Sequence, residues 1–365
     1  MAKSIRNLWP QFCSWDNLLL AYQRCRRGKR YSSEASAFDW AWQPNLVALR
    51  RDLMDGSYQP GGYRHFRILE PKPRKISAAP FRDRIVHHAI VQVLEPHYER
   101  GFIHDSYACR RGKGTQAAWH RAQEYVRRFR YALKTDIVRF FPNVDHEVLI
   151  GLLERTIADP PLNDLIRSII ASGDGVLTEE ATQDFFPGDD LFARLRPKGL
   201  PIGNLTSQFF ANVLLDQIDH TVKDEWAVPG YVRYADDLVL FSNDKAFLWT
   251  CRQQLQERLN TLRLKLHPDK TAVLQTKDGL TFLGFVIRPH DVHLQQGVIQ
   301  RFNRRRKRQQ WLFRNGQIQL RQVRESLRAW NAYVSQANSF GIRRALMKRM
   351  RFGRRPTTSA LPPVS

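Results

Sequence analysis

The chain has 365 residues, with 58 Lys and Arg against 35 Asp and Glu, which gives a formal net charge of +23. A hydrophobic fraction of 42% supports a packed core and excludes a disordered basic tail, a collagen-like chain and a small disulfide scaffold. The length predicts two or three domains, and the positive charge predicts a polyanionic partner.

Cysteine and hydropathy patterns predict a soluble protein of the cytoplasm with no membrane association. The four cysteines form no C-x-x-C pair, so neither a zinc ribbon nor a redox motif is indicated, and scattered thiols fit a reducing compartment. No apolar run reaches the ~18 residues of a transmembrane helix. Trp9, Pro10 and Asp16 interrupt the N-terminal segment, which is therefore not typical of a signal peptide.

The first third of the chain is predicted to be mainly helical. Helical spacing covers residues 1–50, and a strand is predicted over 64–69. A turn at 71–75 leads into another short strand, and the apolar spacing then predicts helices over 82–99 and 115–130.

The middle of the chain predicts strands that carry acids. Tyr131 to Val138 reads as a buried strand that ends in an acid, and 158–198 is rich in Asp, Gly and Pro, which indicates loops or a small insertion. A strand hairpin is predicted over 230–242. The remaining predictions are helices over 145–157, 204–224 and 246–263 and strands at 271–275 and 281–287.

The C-terminal part concentrates the positive charge. Residues 297–356 contain 17 Lys and Arg and one acid, Glu325, and the helical spacing covers 300–350. Most charge runs are solvated helix faces. Aromatic residues interleaved with the basic ones favour nucleic-acid binding here. The Thr-, Pro- and Ser-rich tail after Arg355 is predicted to be disordered.

Two adjacent carboxylates, Asp236 and Asp237, lie between apolar strands. Like charges that close resist ionisation in a low-dielectric site, so a cation is expected, and Mg²⁺ favours such oxygen ligands. Asp136 ends another apolar strand. Acids on neighbouring strands could hold two metals roughly 4 Å apart for an in-line phosphoryl displacement. The alternative is that Asp236 and Asp237 form an ordinary hairpin turn.

These residues resemble the reverse transcriptases. Tyr234-Ala235-Asp236-Asp237 is similar to the Tyr-x-Asp-Asp hairpin of that family, and Asp136 with Phe140 and Phe141 is similar to its other metal-binding strand. The resemblance covers about 60–290. The other motifs, in chain order, are Asp83-Arg84-Ile85-Val86, Asp105-Ser106-Tyr107-Ala108-Cys109-Arg110, Gly112-Lys113-Gly114, Gly199-Leu200-Pro201-Ile202-Gly203-Asn204-Leu205-Thr206-Ser207-Gln208, Leu266-His267-Pro268-Asp269-Lys270-Thr271 and Phe282-Leu283-Gly284-Phe285.

The resemblance implies an α+β right-hand polymerase fold and RNA-templated addition of deoxynucleotides to a primer. It implies that Asp136, Asp236 and Asp237 are the catalytic acids, and that with the Ile137 carbonyl they bind Mg²⁺, or Mn²⁺ in its place. The predicted domains are an N-terminal helical extension (1–55), fingers (56–130), a palm with an antiparallel sheet (131–292, with an insertion at about 158–198), a basic helical thumb (293–355) and a disordered tail (356–365).

The resemblance also implies contacts to substrates. The residues predicted to bind the incoming nucleotide are Lys72, Arg74, Phe141, Ile202, Gly203, Gln208 and Lys270. Those predicted to bind primer and template are Tyr234, Leu283, Gly284, Arg304, Arg305, Arg306, Lys307 and Arg308. Phe141 would be the steric gate against a 2′-hydroxyl, and Lys270 a proton donor to pyrophosphate. Ordinary alternatives are a solvated basic turn for Lys72 and Arg74, an exposed lysine for Lys270 and a core position for Phe140 or Phe141.

Two short stretches of this chain differ from the pattern of many reverse transcriptases and indicate a particular subgroup. Many reverse transcriptases have Gln where this chain has Ile202, and Ser-Pro where it has Ser207-Gln208. This pattern resembles the reverse transcriptases of diversity-generating retroelements, which make error-prone cDNA and work with a small basic oligomeric accessory protein. Loss of the amide beside the nascent base pair predicts relaxed fidelity. The alternatives are a retron-like or phage-defence enzyme, and a catalytically inactive RNA-binding protein on a polymerase fold. Phe141 argues against an RNA polymerase.

Overall fold

The computed structural model describes residues 4–28, 32–68 and 73–350. Its helices and antiparallel sheets make an α+β protein, as predicted. The chain divides into two compact units. The first contains 1–118 and 131–273, and the second contains 119–130 and the chain from 274 onward. The boundaries of fingers, palm and thumb stay a prediction, and the tail at 356–365 lies outside the described residues.

The N-terminal part is helical, as the spacing predicts. Helix α2 begins after Ser14, whose hydroxyl caps it by accepting from the Asn17 N–H at 3.2 Å. Helices α1, α2 and α3 pack on the long helix α5, which buries most of its residues. The bounds are α1 (Trp9–Phe12), α2 (Trp15–Arg26), α3 (Ser33–Trp40), α4 (Trp42–Met54) and α5 (Phe81–Tyr98).

A two-stranded antiparallel sheet lies between α4 and α5 in the chain. It pairs β1 (Arg64–Ile68) with β2 (Arg74–Ala78), so the two strands predicted here are both present. The predicted nucleotide ligand Lys72 lies between them, outside the described residues. Asp83, one turn into α5, is buried and accepts from the Tyr58 hydroxyl at 2.8 Å and the Gly61 N–H at 2.7 Å, which ties the segment before β1 to the helix.

The central sheet has four strands in the order β4-β5-β3-β6. Strand β5 pairs antiparallel with both β3 and β4, and most side chains of the three strands are buried. The hairpin predicted over 230–242 is therefore present. The strands are β3 (Tyr131–Asp136), β4 (Gly230–Tyr234), β5 (Asp237–Ser242) and β6 (Ala272–Gln275).

Helices α6 to α11 lie in the same part of the chain as the strands of this sheet. Helix α10 continues into a π-helical turn at Thr221–Glu225, and α11 contacts β3 and β5. The bounds are α6 (Thr115–Arg128), α7 (Phe140–Asn143), α8 (His146–Thr156), α9 (Pro160–Ala171), α10 (Leu205–His220) and α11 (Lys245–Thr261). Short 3₁₀ turns lie at Leu191–Leu195, Pro268–Lys270 and Thr276–Asp278.

The sequence predicts loops or a small insertion over 158–198, and the first part of this segment is not a loop but forms α9. The two prolines that suggested a loop occupy the first turn of the helix, where a missing N–H costs nothing. Asp159 caps α9, and its other carboxylate oxygen accepts from the Leu8 N–H at 2.7 Å. The buried face is apolar at helical spacing, with Leu162, Leu165, Ile166, Ile169 and Ile170.

Among its described residues, the second unit contains most of α6, a three-stranded antiparallel sheet in the order β7-β8-β9 and the helices that follow this sheet in the chain. The single strand predicted over 281–287 is wrong, because a tight turn at Leu283 and Gly284 divides it, and β9 was not predicted. The helical prediction for 300–350 is confirmed. The elements are β7 (Leu280–Phe282), β8 (Phe285–Ile287), β9 (Val292–Leu294), α12 (Gln296–Arg314), α13 (Leu320–Val334) and α14 (Phe340–Lys348).

Across the described part of the chain, no helix combines the length and the apolar run needed to cross a bilayer.

Candidate active site

The three predicted catalytic acids meet at one end of the central sheet. Asp136 is the last residue of β3 and lies directly opposite Asp237, the first residue of β5. Asp236 is in the turn between β4 and β5, and its carbonyl accepts from the Ile137 N–H at 3.3 Å. Ala235 reaches the left-handed region with φ of +53°, which makes the reversal tight enough to set both acids beside Asp136.

A second segment holds Asp136 in place. The His267 N–H donates to the Asp136 carbonyl at 2.7 Å, and Leu266 bridges to Ile137. The Lys270 ammonium forms an ion pair with the Asp136 carboxylate. Lys270, which the resemblance implies as a nucleotide-binding residue, therefore lies beside Asp136, one of the predicted catalytic acids.

The electrostatics of this site demand a positive charge. Burial raises the pKa of Asp236, the nearby carboxylates of Asp136 and Asp237 act in the same direction, and together they bring it to about 7. Three acids this close are ionised together at neutral pH only if a cation balances them, and Lys270 supplies one such charge at Asp136.

The donor chemistry of the site fits a hard divalent cation. Asp136, Asp236 and Asp237 offer carboxylate oxygens, the ligands that Mg²⁺ prefers. Within the described ranges, no three His, Cys, Asp or Glu side chains are already gathered as a metal site. The Asp136 carboxylate is paired with the Lys270 ammonium.

A cavity of about 370 Å³ opens beside Asp236. Its walls include Arg74, Phe141 and Ile202, three of the residues predicted to contact the nucleotide. Arg139 also lines it and donates to the Glu180 carbonyl at 2.9 Å, which ties the segment after α9 to the cavity wall. The structure thus gathers a guanidinium, an aromatic ring and an aliphatic side chain around Asp236, one of the predicted catalytic acids.

Phe140 and Phe141 do not lie on the strand that carries Asp136, so the placement implied by the resemblance is wrong on this point. Strand β3 ends at Asp136, Arg139 takes a left-handed conformation with φ of +42°, and α7 then begins at Phe140. Phe140 is 2% exposed and belongs to the core, whereas Phe141 is half-buried and faces the cavity. The Leu200 N–H donates to the Phe141 carbonyl at 2.8 Å and fixes this position.

Ile202 and Gly203 are held against β2. The Ser77 N–H donates to the Ile202 carbonyl at 2.9 Å. Gly203 has a φ of +126°, and a Cβ there would lie 3.0 Å from the Ile76 side chain, so the close approach requires glycine. Gln208 is exposed on the first turn of α10 and is not among the described residues that line the cavity. Its predicted contact to the nucleotide stays a prediction.

Comparison with known proteins decides the family. The model of the family described as reverse transcriptase (RNA-dependent DNA polymerase) matches residues 69–287, which is more than half of the chain. This chain belongs to the reverse transcriptase family. The predicted RNA-directed DNA polymerase is confirmed at that level.

Relatives of this reverse transcriptase include intron-encoded proteins. It is 27% identical to protein YkfC of Escherichia coli (strain K12), over 66% of this chain and 70% of the relative. It is 24% identical to the group II intron-encoded protein LtrA of Lactococcus lactis subsp. cremoris, over 80% of this chain and 58% of the relative. With nuclear intron maturase 2, mitochondrial, of Arabidopsis thaliana it shares 27% identity over 47% of this chain and 25% of the relative. The chain thus spans less than two thirds of the length of each of these two intron-related proteins.

Tyr234, predicted to contact primer or template, is half-buried at the end of β4. Its hydroxyl accepts from the Thr115 hydroxyl at 3.2 Å. This bond anchors the residue that precedes the turn at Ala235 and Asp236 to the start of α6.

In the second unit, the turn at Leu283 and Gly284 has positive φ at both residues, +49° and +86°. The Tyr333 hydroxyl donates to the Leu283 carbonyl at 2.7 Å, and the Gln295 N–H donates to the Gly284 carbonyl at 2.9 Å. These bonds give the predicted primer-contacting turn a fixed shape.

Gly284→Ala is expected to destabilise the second unit. A Cβ would lie 2.3 Å from the Tyr333 hydroxyl, and its backbone conformation is strained for any L side chain, so we expect a loss of about 1–3 kcal/mol. Urea unfolding followed by near-ultraviolet circular dichroism measures it. Gly316→Ala is the matched control, because Gly316 has φ of +70° but open space around it, so only the backbone penalty applies there. An equal loss in both variants would contradict the predicted clash.

The basic residues predicted to hold nucleic acid lie on α12, and one of them needs correction. Arg304, Lys307 and Arg308 are exposed, and Arg305 is half-buried beside Phe302. The exception is Arg306. Its side chain is buried and donates to the carbonyl of residue 349 at 2.9 Å, so it satisfies a helix end instead of facing a phosphate.

One residue next to the site, Arg233, was not predicted from the sequence. Arg233 precedes Tyr234 in β4 and is the largest fully buried side chain of the described residues. The sequence does contain one indication, a single charged residue that follows Tyr231 and Val232 in a strand. A fully buried arginine is rare unless it is paired, so this residue would be expected to have an acidic partner. Its partner, Asp219 on α10, cannot be recognised without the fold.

Proposed function

We propose that this reverse transcriptase copies RNA into DNA by extending a primer with deoxynucleoside triphosphates. The observation that carries the proposal is the pairing of Asp136 with Asp237 across β3 and β5, with Asp236 in the adjoining turn. A cavity lined by Arg74 and Phe141 opens on the same turn and offers room for the nucleotide. The template RNA, the primer and its cDNA product are the polyanions that the net charge of +23 would attract.

The catalytic acids would hold the metal. Asp136, Asp236 and Asp237 supply carboxylate oxygens for Mg²⁺, or Mn²⁺, and the Ile137 carbonyl is a candidate further ligand. Bound there, a pair of such ions would supply activation of the primer 3′-hydroxyl and neutralisation of the charge that develops on the transferred phosphoryl group.

The other side chains of the cavity would bind and orient the nucleotide. The Arg74 guanidinium, with Lys72, would bind the triphosphate and set it in line with the primer end. Lys270 carries three N–H donors next to the acids and could give a proton to the departing pyrophosphate. Phe141 would lie beneath the sugar, where its ring leaves no room for a 2′-hydroxyl.

Primer extension tests this proposal. The purified chain, a labelled DNA primer on a defined RNA template, the four deoxynucleotides and Mg²⁺ should give full-length cDNA, and chelation by EDTA should stop it. Absence of any extension, with Mg²⁺ or Mn²⁺ and on RNA or DNA templates, would leave only a polymerase-fold protein that holds nucleic acid.

We propose further that the cDNA synthesis is error-prone and serves a diversity-generating retroelement in the cytoplasm, with a small basic oligomeric accessory protein as partner. The support is Ile202, an aliphatic side chain in the cavity wall where many family members have an amide. Without an amide donor, the wall makes no hydrogen bond to the nascent base pair, and fewer wrong pairs are rejected. The four cysteines are free thiols, which fits a reducing compartment.

Ile202→Gln is expected to lower misincorporation by about fivefold, the equivalent of one net hydrogen bond of roughly 1 kcal/mol. Deep sequencing of cDNA made on a defined RNA measures the error at each template base, and the wild type should err most opposite adenine. Leu191→Gln places the same amide on an exposed site and should leave the error unchanged. Uniformly low errors in the wild type would contradict the retroelement proposal.

A second candidate function is that of an intron-associated reverse transcriptase. Two of the relatives carry names that place them with introns, the group II intron-encoded protein LtrA and nuclear intron maturase 2. Sequencing the RNA that co-purifies with the chain separates the candidates. An intron RNA supports the second, and a template-repeat RNA supports the retroelement.

A further inference from the structure

Arg233 carries a charge that is completely enclosed by the first unit. Its side chain is 1% exposed, and both oxygens of the Asp219 carboxylate accept from it, at 2.7 Å from Nε and 2.6 Å from Nη2. Asp219 is itself 0% exposed and also accepts from the Tyr231 hydroxyl at 2.8 Å. The fork of the guanidinium is therefore fixed in one orientation.

The remaining nitrogen of this fork points toward the catalytic turn. Nη1 of Arg233 donates to the Asn212 side-chain oxygen at 3.1 Å and to the Ala235 carbonyl at 3.4 Å. The Ala235 carbonyl belongs to the peptide group that also contains the N–H of Asp236. Ala235 is in the left-handed region, a conformation that persists only where its surroundings hold it, and the guanidinium supplies one such restraint.

The same residue is clamped by two other segments. Its backbone N–H donates to the Asp105 carbonyl at 2.9 Å, and its carbonyl accepts from the Tyr107 N–H at 3.0 Å. Asn212 in turn donates to the Ala108 carbonyl at 2.9 Å. Arg233 thus joins α10, the loop at 105–108 and the catalytic hairpin.

We infer that Arg233 is a positioning residue for polymerisation, which sets the orientation of the Ala235–Asp236 peptide and with it the Asp236 carboxylate. Asp219 and Asn212 orient the guanidinium for this task. The inference rests on the proposed function, in which Asp236 is a metal ligand. Arg233 itself touches neither substrate nor metal in this scheme.

A contribution to stability alone explains the arrangement less well. Buried ion pairs are often no more stabilising than well-packed apolar residues of the same size, because both charges lose their hydration. The distinctive feature here is the third nitrogen, whose contact with Ala235 adds nothing to the pairing with Asp219. That contact satisfies a buried N–H and, in the same bond, restrains the turn that carries Asp236.

Arg233→Lys separates charge from geometry. Lysine keeps the charge next to Asp219 but lacks the planar fork that reaches Asn212 and Ala235 together. We expect kcat for primer extension to fall about 10- to 100-fold with the KM for deoxynucleotide within threefold, because the site is misplaced and not emptied. The Kd for Mn²⁺ bound to the protein, measured by electron paramagnetic resonance, should weaken about tenfold.

Two other variants complete the test. Arg258→Lys makes the same change in an exposed ion pair with Glu225 and should leave kcat and the Mn²⁺ Kd unchanged. Asn212→Ala leaves the ion pair of Arg233 with Asp219 intact. It should lower kcat and raise the Mn²⁺ Kd, each threefold to tenfold, so the inference stays testable if Arg233→Lys does not fold.

Wild-type values of kcat and Mn²⁺ Kd in both folded variants at Arg233 and Asn212 would overturn the inference, as would losses that match only the unfolded fraction seen by circular dichroism. If the wild type extends no primer at all, the proposed function fails, and the Mn²⁺ titration still decides whether Arg233 positions Asp236.

Discussion

Asp236→Asn is expected to lower the turnover of primer extension by at least about 10³-fold. An amide removes one negative charge from the set of Asp136, Asp236 and Asp237 and weakens the hold on a divalent cation, and several kcal/mol of transition-state stabilisation depend on that charge. Gel-resolved extension of a labelled primer under single-turnover conditions measures the rate.

The fold of this variant should survive, and in metal-free buffer it should be more stable than the wild type at pH 8. Burial and the neighbouring acids raise the pKa of Asp236 to about 7 in the folded chain, above its ordinary value. The wild type therefore has the full benefit of this group below about pH 4 and loses it as the pH rises through 7. The amide that replaces the carboxyl group does not ionise, so the melting temperature in EDTA at pH 8 should rise by at least about 2 °C.

Asp244→Asn is the matched control. It makes the same chemical change at the exposed cap of α11, where asparagine caps about as well as aspartate. Primer extension should be unchanged. If Asp236→Asn retained more than a tenth of the wild-type rate while Asp244→Asn behaved as the wild type does, Asp236 would not be a metal ligand of the reaction.

The positions of Asp136 and Asp237 at strand ends could be predicted from the sequence because the residues next to them are apolar. Asp136 and Asp237 end and begin runs of buried residues, so each marks a strand terminus, and the pairing of β3 with β5 brings the termini together. The helical N-terminal part and the hairpin followed from periodicity in the same way. Spacing along one element thus predicts which elements form and where their functional residues lie.

Features that depend on contacts between elements were not accessible from the sequence. The pair of Arg233 and Asp219 joins a strand to a helix, and no pattern in either element names the partner. The split of β7 from β8 depends on the Tyr333 hydroxyl, which supports two positive φ angles in a row. Local propensity favours a single strand there, and the tertiary contact decides otherwise.

The buried arginine at position 306 shows an intermediate case. It follows Phe302 by one helical turn, as Phe302 follows Val298, so all three lie on the face of α12 that is buried. The number of basic residues does not distinguish the buried arginine from the exposed ones, whereas the helical period predicts that this position is buried. The exposed members of the set, Arg304, Lys307 and Arg308, lie off that face.

Phe141→Val is expected to raise the use of ribonucleotides relative to deoxynucleotides by about 10- to 100-fold. The half-buried Phe141 ring lines the cavity beside Asp236, and a smaller side chain opens space for a 2′-hydroxyl. Packing differences of this size in a binding pocket discriminate by roughly 1–3 kcal/mol. The measurement is kcat/KM for one ribonucleotide and for its deoxy counterpart on the same primer and RNA template.

Two comparisons make the result specific to the ring. Phe141→Tyr keeps the bulk and should keep the wild-type preference, and Phe192→Val makes the smaller substitution at a 73% exposed position and should change nothing. Because Phe140 belongs to the core, its truncation would destabilise the fold and could not report on the sugar. If Phe141→Val folds, extends primers with deoxynucleotides and still rejects ribonucleotides as the wild type does, the ring is a wall of the cavity and another side chain reads the sugar.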